Sequence, residues 1–245
     1  MWMVAVLVSA MGMMLLAAGC ASADHPPTPT TASFNMQPVP KRDSAVRGLV
    51  TLPADAINFL AGNRPIRFVT MMENADRPDD RRVGIVRLSE RTFGQQEPYT
   101  RRYRQIAQSD PDFTVRAAAI RALNRARDRE AVPVFMKALS DESPAVRLQA
   151  AKALSNIPDP SASETLAKTL GNQAETRDVR IAAAEALRHY RDLGVARVLA
   201  GTLSGRDFSI AWQSRWSLCI LTGHDHGYDE RKWLEYLTGP TKPLG

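Results

Sequence analysis

Several things that a chain of this length could carry are scarce here. Two cysteines, Cys20 and Cys219, stand among 245 residues, too few and too far apart for a disulfide framework or a paired-cysteine metal motif. Aromatic residues make up 7% of the chain, too sparse for the core of a large β sandwich or barrel, so composition leans towards helices. No nucleophile elbow, phosphate-cradling glycine loop or paired metal motif occurs, and Ser, His and Asp share no triad-like spacing. The expectation is therefore a protein that is not an enzyme and needs no cofactor. Neither sign of charge dominates: 32 basic oppose 26 acidic residues for a net +6, and even the Arg-rich stretch from Asp76 to Glu130 sets 13 Arg against 9 acidic residues. Such a balance is no nucleic-acid footprint, and no nucleic-acid partner is expected.

Charge is missing altogether from residues 1 to 19. The apolar run from Val4 to Ala18 has the length of a signal-peptide core and falls short of the roughly 20 residues that a spanning helix needs. It ends in Leu16-Ala17-Ala18-Gly19-Cys20, which resembles the bacterial lipobox. Two features depart from that pattern: the leucine lies four places before the cysteine rather than three, and no Lys or Arg precedes the run. The resemblance implies a signal peptide over 1–19 that is removed, leaving Cys20 as a lipidated first residue. It also implies three acyl chains there, whereas a single chain holds a protein only marginally. The alternative is an ordinary secreted protein cut after Ala21 or Ala23. Ala21, standing where Asp would imply inner-membrane retention, favours the outer membrane if the cell has one. The expected location is the cell membrane or outer membrane, lipid-anchored on the exported side. Residues 20–53, with "HPPTPTTASFNMQPVP", are rich in Pro, Thr, Ser and Ala without apolar periodicity, and read as a tether spanning roughly 30 Å.

Self-similarity organises the remainder. "VRAAAIRAL" from Val115, "VRLQAAKAL" from Val146, "VRIAAAEAL" from Val179 and "IAWQSRWSL" from Ile210 share one nine-residue pattern, with starts 31, 33 and 31 residues apart. A β-branched residue is followed by a small residue four places on and a leucine eight places on, which is helical spacing. Ala119, Ala150, Ala183 and Ser214, with Ala122, Ala153, Ala186 and Ser217, place small side chains on the inward stripe, where helices then approach closely. Between these lie "AVPVFMKAL" from Ala131, "ASETLAKTL" from Ala162 and "VARVLAGTL" from Val195, each with a large apolar residue one turn before a final Leu. Each first helix with the second that follows it reads as a hairpin, and hairpins that cannot bury their stripes alone must stack. The fold class is all-α, an α-solenoid.

The period, the two helices and the "Asp-x-x-x-x-Val-Arg" lead-in resemble HEAT repeats, particularly the short kind known from phycobilisome lyase subunits. Asp110 with Arg116 and Asp141 with Arg147 fit the lead-in, the next repeat keeps Arg180 but has Ala174 in place of Asp, and the last has Ala211 in place of Arg. "DRRVGIVRL" from Asp80 and "EPYTRRYRQIA" from Glu97 read as an earlier repeat, Asp79 and Asp80 as its cap, "DAINFLAG" and "PIRFVTMMEN" as a leading hairpin, and "YDERKWLEYL" as the last helix. The solenoid is thus expected over 54–238 as a leading cap and about five repeats, with a tail at 239–245.

The arginines at 116, 147 and 180 admit a basic stripe for acidic ligands, or a structural ladder in which each pairs with a neighbouring Asp or backbone carbonyls. The ladder is preferred. "TGHDHGYDE" gathers His224, Asp225, His226 and Asp229, but adjacent side chains on one loop supply two metal ligands at most where zinc needs three or four, with His189 the sole distant candidate. A turn at Gly223 and Gly227, exposed histidines, Asp229 near a helix start and no metal are expected. Trp212, Trp216 and Trp233 read as the bulky plug of the terminal repeat, with an aromatic ligand patch including His224 and His226 as the alternative, and Cys219 as buried and inert. These readings converge on a membrane-tethered scaffold or adaptor whose partner is another envelope protein, bound along the second helices. A ligand-binding last hairpin and a structural lipoprotein without a specific partner are the alternatives.

Overall fold

The computed structural model describes residues 65–239 and Leu244. Cys20, the residues before it, the tether and "DAINFLAG" lie outside the described residues. Among the described residues are eleven α-helices, three short 3-10 turns and no strand. We number the helices α1 (Pro65–Met72), α2 (Pro78–Ser89), α3 (Tyr99–Ser109), α4 (Phe113–Ala126), α5 (Val132–Ala138), α6 (Pro144–Asn156), α7 (Ser163–Gly171), α8 (Arg177–Leu187), α9 (Leu193–Ala200), α10 (Phe208–Thr222) and α11 (Glu230–Thr238).

Helices α2, α4, α6, α8 and α10 carry the repeated pattern and form one layer, each packed on the next. Helices α3, α5, α7, α9 and α11 follow them one by one in a second layer, with α1 in front. The inward stripe is what the spacing predicts. Val115, Val146 and Val179, the small residues four and seven places after each, and Leu123, Leu154, Leu187 and Leu218 are all buried. Where the last repeat replaces two alanines with serines, both hydroxyls are satisfied: Ser217 Oγ donates to the Ala184 carbonyl at 2.7 Å, and Thr202 Oγ1 donates to Ser214 Oγ at 2.7 Å. A buried hydroxyl without a partner would cost about 1–3 kcal/mol. Phe135, Leu166 and Leu199 fill the space between layers from the second helices.

The hairpin phase differs from the sequence reading. The intimate pairs are α1 with α2, α3 with α4, and α7 with α8, each joined by the short acidic turn, rather than a first helix with the second helix that follows it. Apolar periodicity marks the buried face of a helix, but in a stack that face meets second helices on both sides, and turn length decides which is nearer. Longer connections carry 3-10 turns at Arg129–Ala131 and Pro160–Ala162 that step the chain between layers.

Helix ends follow their residues. Asp112, Asp207 and Asp229 accept backbone N–H groups at the starts of α4, α10 and α11, and Gly223, in the left-handed region at φ 74°, ends α10. Asp79 and Asp80 do not cap α2, whose N-cap position is Arg77; they sit inside the first turn, where their charge complements the helix dipole, bonded to Arg82 and Asn74. Gly84 is required where α2 crosses α1, because a Cβ there would meet the Met72 amide nitrogen at 2.4 Å and the Phe68 carbonyl oxygen at 2.5 Å.

Candidate functional site

An arginine ladder runs along the turns before the first helices. Arg116 donates through Nε and Nη2 to both carboxylate oxygens of Asp141 at 2.9 and 2.8 Å, and through Nη1 to the carbonyls of Asp110 and Pro111 at 2.9 and 3.2 Å. Arg147 repeats this one step on, reaching Glu175 at 2.6 and 2.8 Å and the carbonyls of Asp141 and Glu142. Arg81 does the same one step earlier, reaching Asp110 at 2.8 and 3.0 Å and the carbonyls of Asn74 and Ala75. Each arginine thus ties its own turn to the next. Asp141 also accepts the Ser143 N–H at 2.9 Å, which closes its turn.

Sequence reasoning missed two members. Glu175 takes the place that Ala174 vacates, its longer side chain making up for a position one residue later, and Arg81 belongs by its alignment with Arg116. Arg180 breaks the pattern. Its Nε donates to the Leu170 carbonyl at 2.9 Å, and Arg177 meets Asp207 at 3.4 Å instead. Burial alone would raise the carboxyls of Asp141 and Glu175, but the hydrogen bonds and charge of Arg116 and Arg147, with backbone N–H donors, hold both below the ordinary range. The arginines are committed to this structural role.

The last hairpin separates the aromatic group. Trp233 is fully buried, its Nε1 donating to the Gly227 carbonyl at 2.9 Å, and it plugs the end of the core. Trp212 and Trp216 are not plugs: they are 48% and 53% exposed, with parallel rings 6.3 Å apart between centroids. The reason is positional. They align with Ala117 and Arg121, Leu148 and Lys152, and Ile181 and Glu185, the side of the first helices turned away from the second layer.

His224 is exposed and His226 half-buried. His224 Nδ1 lies 2.8 Å from the Tyr236 hydroxyl, and the His226 ring meets Trp233 edge-on at 4.8 Å. Asp225 is taken by Arg215 in a bidentate pair that holds its carboxyl down to about 2. Asp229 caps α11, and the His189 ring accepts from Arg188 at 3.2 Å, away from this loop. Among the described residues no group of three metal-competent side chains converges. Cys219 is half-buried rather than fully so, and burial first, then the Asp225 charge, pushes its thiol above the ordinary value.

What remains is a surface. Phe208, Trp212, Trp216 and Ile220 lie at i, i+4, i+8 and i+12 on α10 and are all exposed, forming one apolar stripe. On α4, Phe113 is 46% exposed, and a groove of 440 Å³ between α2, α4 and α6 is lined by Arg82, Phe113, Ala117, Arg121, Leu148 and Gln149 among others. The apolar surface therefore lies on the first helices. The second layer, where it was expected, exposes Ile66 and Leu193 as its large apolar side chains among the described residues. The signal in the sequence was the i+4 series on α10, which reads equally as a buried face until its neighbours are known.

Stacked helical pairs joined by a loop-to-loop ladder define a helical-repeat protein. Residues 101–188 match the family of HEAT repeats, and the stacked helices are consistent with a HEAT-repeat domain. The crystal structure of an engineered protein shares the fold, with a TM-score of 0.51 at 18% identity over 74% of this chain and 92% of that one. No curated protein matches the sequence. HEAT repeats suggest a protein-interaction scaffold rather than an enzyme.

Proposed function

We propose that this protein is a non-enzymatic scaffold of the bacterial cell envelope, held to a membrane through lipid on Cys20 and presenting its first-helix layer to another envelope protein. The observation that carries the scaffold reading is the exposed stripe Phe208, Trp212, Trp216 and Ile220, because side chains of this size aligned on one helix face are placed to be covered by a partner. The lipobox resemblance supports the anchor. None of the described helices is long and apolar enough to cross a membrane. A tether of some thirty residues gives the repeats a reach of roughly 30 Å from the lipid.

Mass spectrometry of the mature N-terminus tests the anchor. The expected result is a chain beginning at Cys20 with acyl chains attached, and a Cys20→Ala variant that leaves the membrane fraction. A mature chain beginning at Ser22 or Asp24 without lipid overturns it.

A further inference from the structure

We infer that the first-helix face binds an acidic, amphipathic polypeptide segment of its partner, with apolar side chains on the row Phe113, Leu148, Ile181 and Trp212 and carboxylates on Arg121 and Lys152. This rests on the scaffold reading and names the chemistry of the partner.

The argument starts from which charges are already used. Asp and Glu of the turns hold the ladder arginines, and Arg82 and Arg177 have Asp79 and Asp207 beside them. Arg121 on α4 and Lys152 on α6 are exposed and have no carboxylate partner within the described residues. They occupy the same repeat position, one turn beyond Ala117 and Leu148; Glu185, at that position on α8, is paired with Arg188 at 3.0 Å, so the unpaired charges beside the apolar row are the two cations on α4 and α6. Arg125, one turn further along α4, meets within the described residues only the Ser89 hydroxyl, at 3.3 Å. Gln149, in the same groove, has no side-chain partner within the described residues and is available to a peptide backbone.

Charge then selects the occupant. A second copy of this chain brings another basic face and a net charge of +6. The chain's own tether, residues 21–53, carries Asp24 and Asp43 against Lys41, Arg42 and Arg47, and is no better suited. A flat lipid surface does not enter a groove lined by three helices. An acidic segment with apolar side chains fits both the row and the cations. First helices spaced by about 8–10 Å put Phe113 and Trp212 roughly 25–30 Å apart, the span of about eight extended residues.

Site-specific photo-crosslinking in cells tests this with the full chain. A benzoylphenylalanine at position 148 is compared with one at position 197, where Arg197 is exposed on the second layer. Expected at 148 is a crosslinked peptide from another protein, net acidic and bearing apolar residues. Its yield should fall about tenfold in a Lys152→Glu, Arg121→Glu background, while Arg197→Glu leaves it unchanged. Circular dichroism should show that the charge-reversed variants remain helical. Crosslinks at 148 to a second copy, to the tether, to lipid or to a basic peptide overturn the inference. If position 197 alone captures protein, the inference fails and the scaffold reading stands; if neither position does, both fail.

Discussion

Asp141 offers the sharpest test of what holds the repeats together. Its carboxylate accepts two bonds from Arg116 and one from the Ser143 N–H, and the two side chains are 14% and 9% exposed. Breaking a fully buried pair by removing one partner costs about 3–5 kcal/mol, whereas an exposed pair contributes about 0–1 kcal/mol. Asp141→Asn keeps the shape and one acceptor oxygen but leaves the Arg116 guanidinium only the exposed Glu142 carboxylate, at 3.1 Å, as a charge partner, so about 2–3 kcal/mol should be lost. For a domain of this size that is a fall in Tm of roughly 5–10 °C. Urea unfolding should show a lower midpoint with an unchanged slope; a shallower slope would show instead that the repeats unfold separately. Asp79→Asn is the control, since its pair with Arg82 is 80% and 39% exposed and should cost under about 1 kcal/mol. Asp141→Asn that costs no more than Asp79→Asn refutes the assignment of the ladder as the tie between repeats. Arg116→Met with Asp141→Leu, which removes both charges, should recover much of the loss.

The ladder also sets an acid limit. Asp141 and Glu175 have depressed carboxyl pKa values in the folded state, so their contribution is fully present above the ordinary carboxyl value of about 4 and is lost as pH falls through the folded values. The urea midpoint should decline below about pH 4, and Asp141→Asn with Glu175→Gln should flatten that decline. An unchanged pH profile in the double variant counts against these two groups. The tryptophans should divide by burial. Trp233→Ala should cost about 3–5 kcal/mol, while Trp212→Ala with Trp216→Ala should stay within about 1 kcal/mol and remove the red-shifted part of the fluorescence. Equal costs would show that the stripe on α10 is covered within the chain.

Much of the fold was legible because a helix in a stack repeats its environment. Val115, Val146 and Val179 face the same neighbours, so the same residue type recurs, and self-similarity reports both helix and burial. The preference for a structural ladder at Arg116 and Arg147 had the same source. Legibility stopped where the repeat is broken. Ala174 suggested a missing rung, yet Glu175 restores it, since a side chain one methylene longer can reach the same guanidinium from the next position. Arg180 suggested a rung, and it takes a backbone carbonyl, but that of Leu170 in the helix before it rather than a partner in the next turn.

The last repeat marks the division most clearly. Spacing alone determined that Ile210, Ser214 and Leu218 share one helix face and that Trp212 and Trp216 share another. Only the tertiary structure decided that the first face is the core, that Trp212 and Trp216 are exposed, and that Trp233, on the next helix, is the plug. Helical periodicity relates residues on one helix to each other, whereas burial depends on which other helices arrive, and among the described residues none covers the side of α10 turned away from the second layer. That uncovered side leaves its aromatic stripe open to a partner.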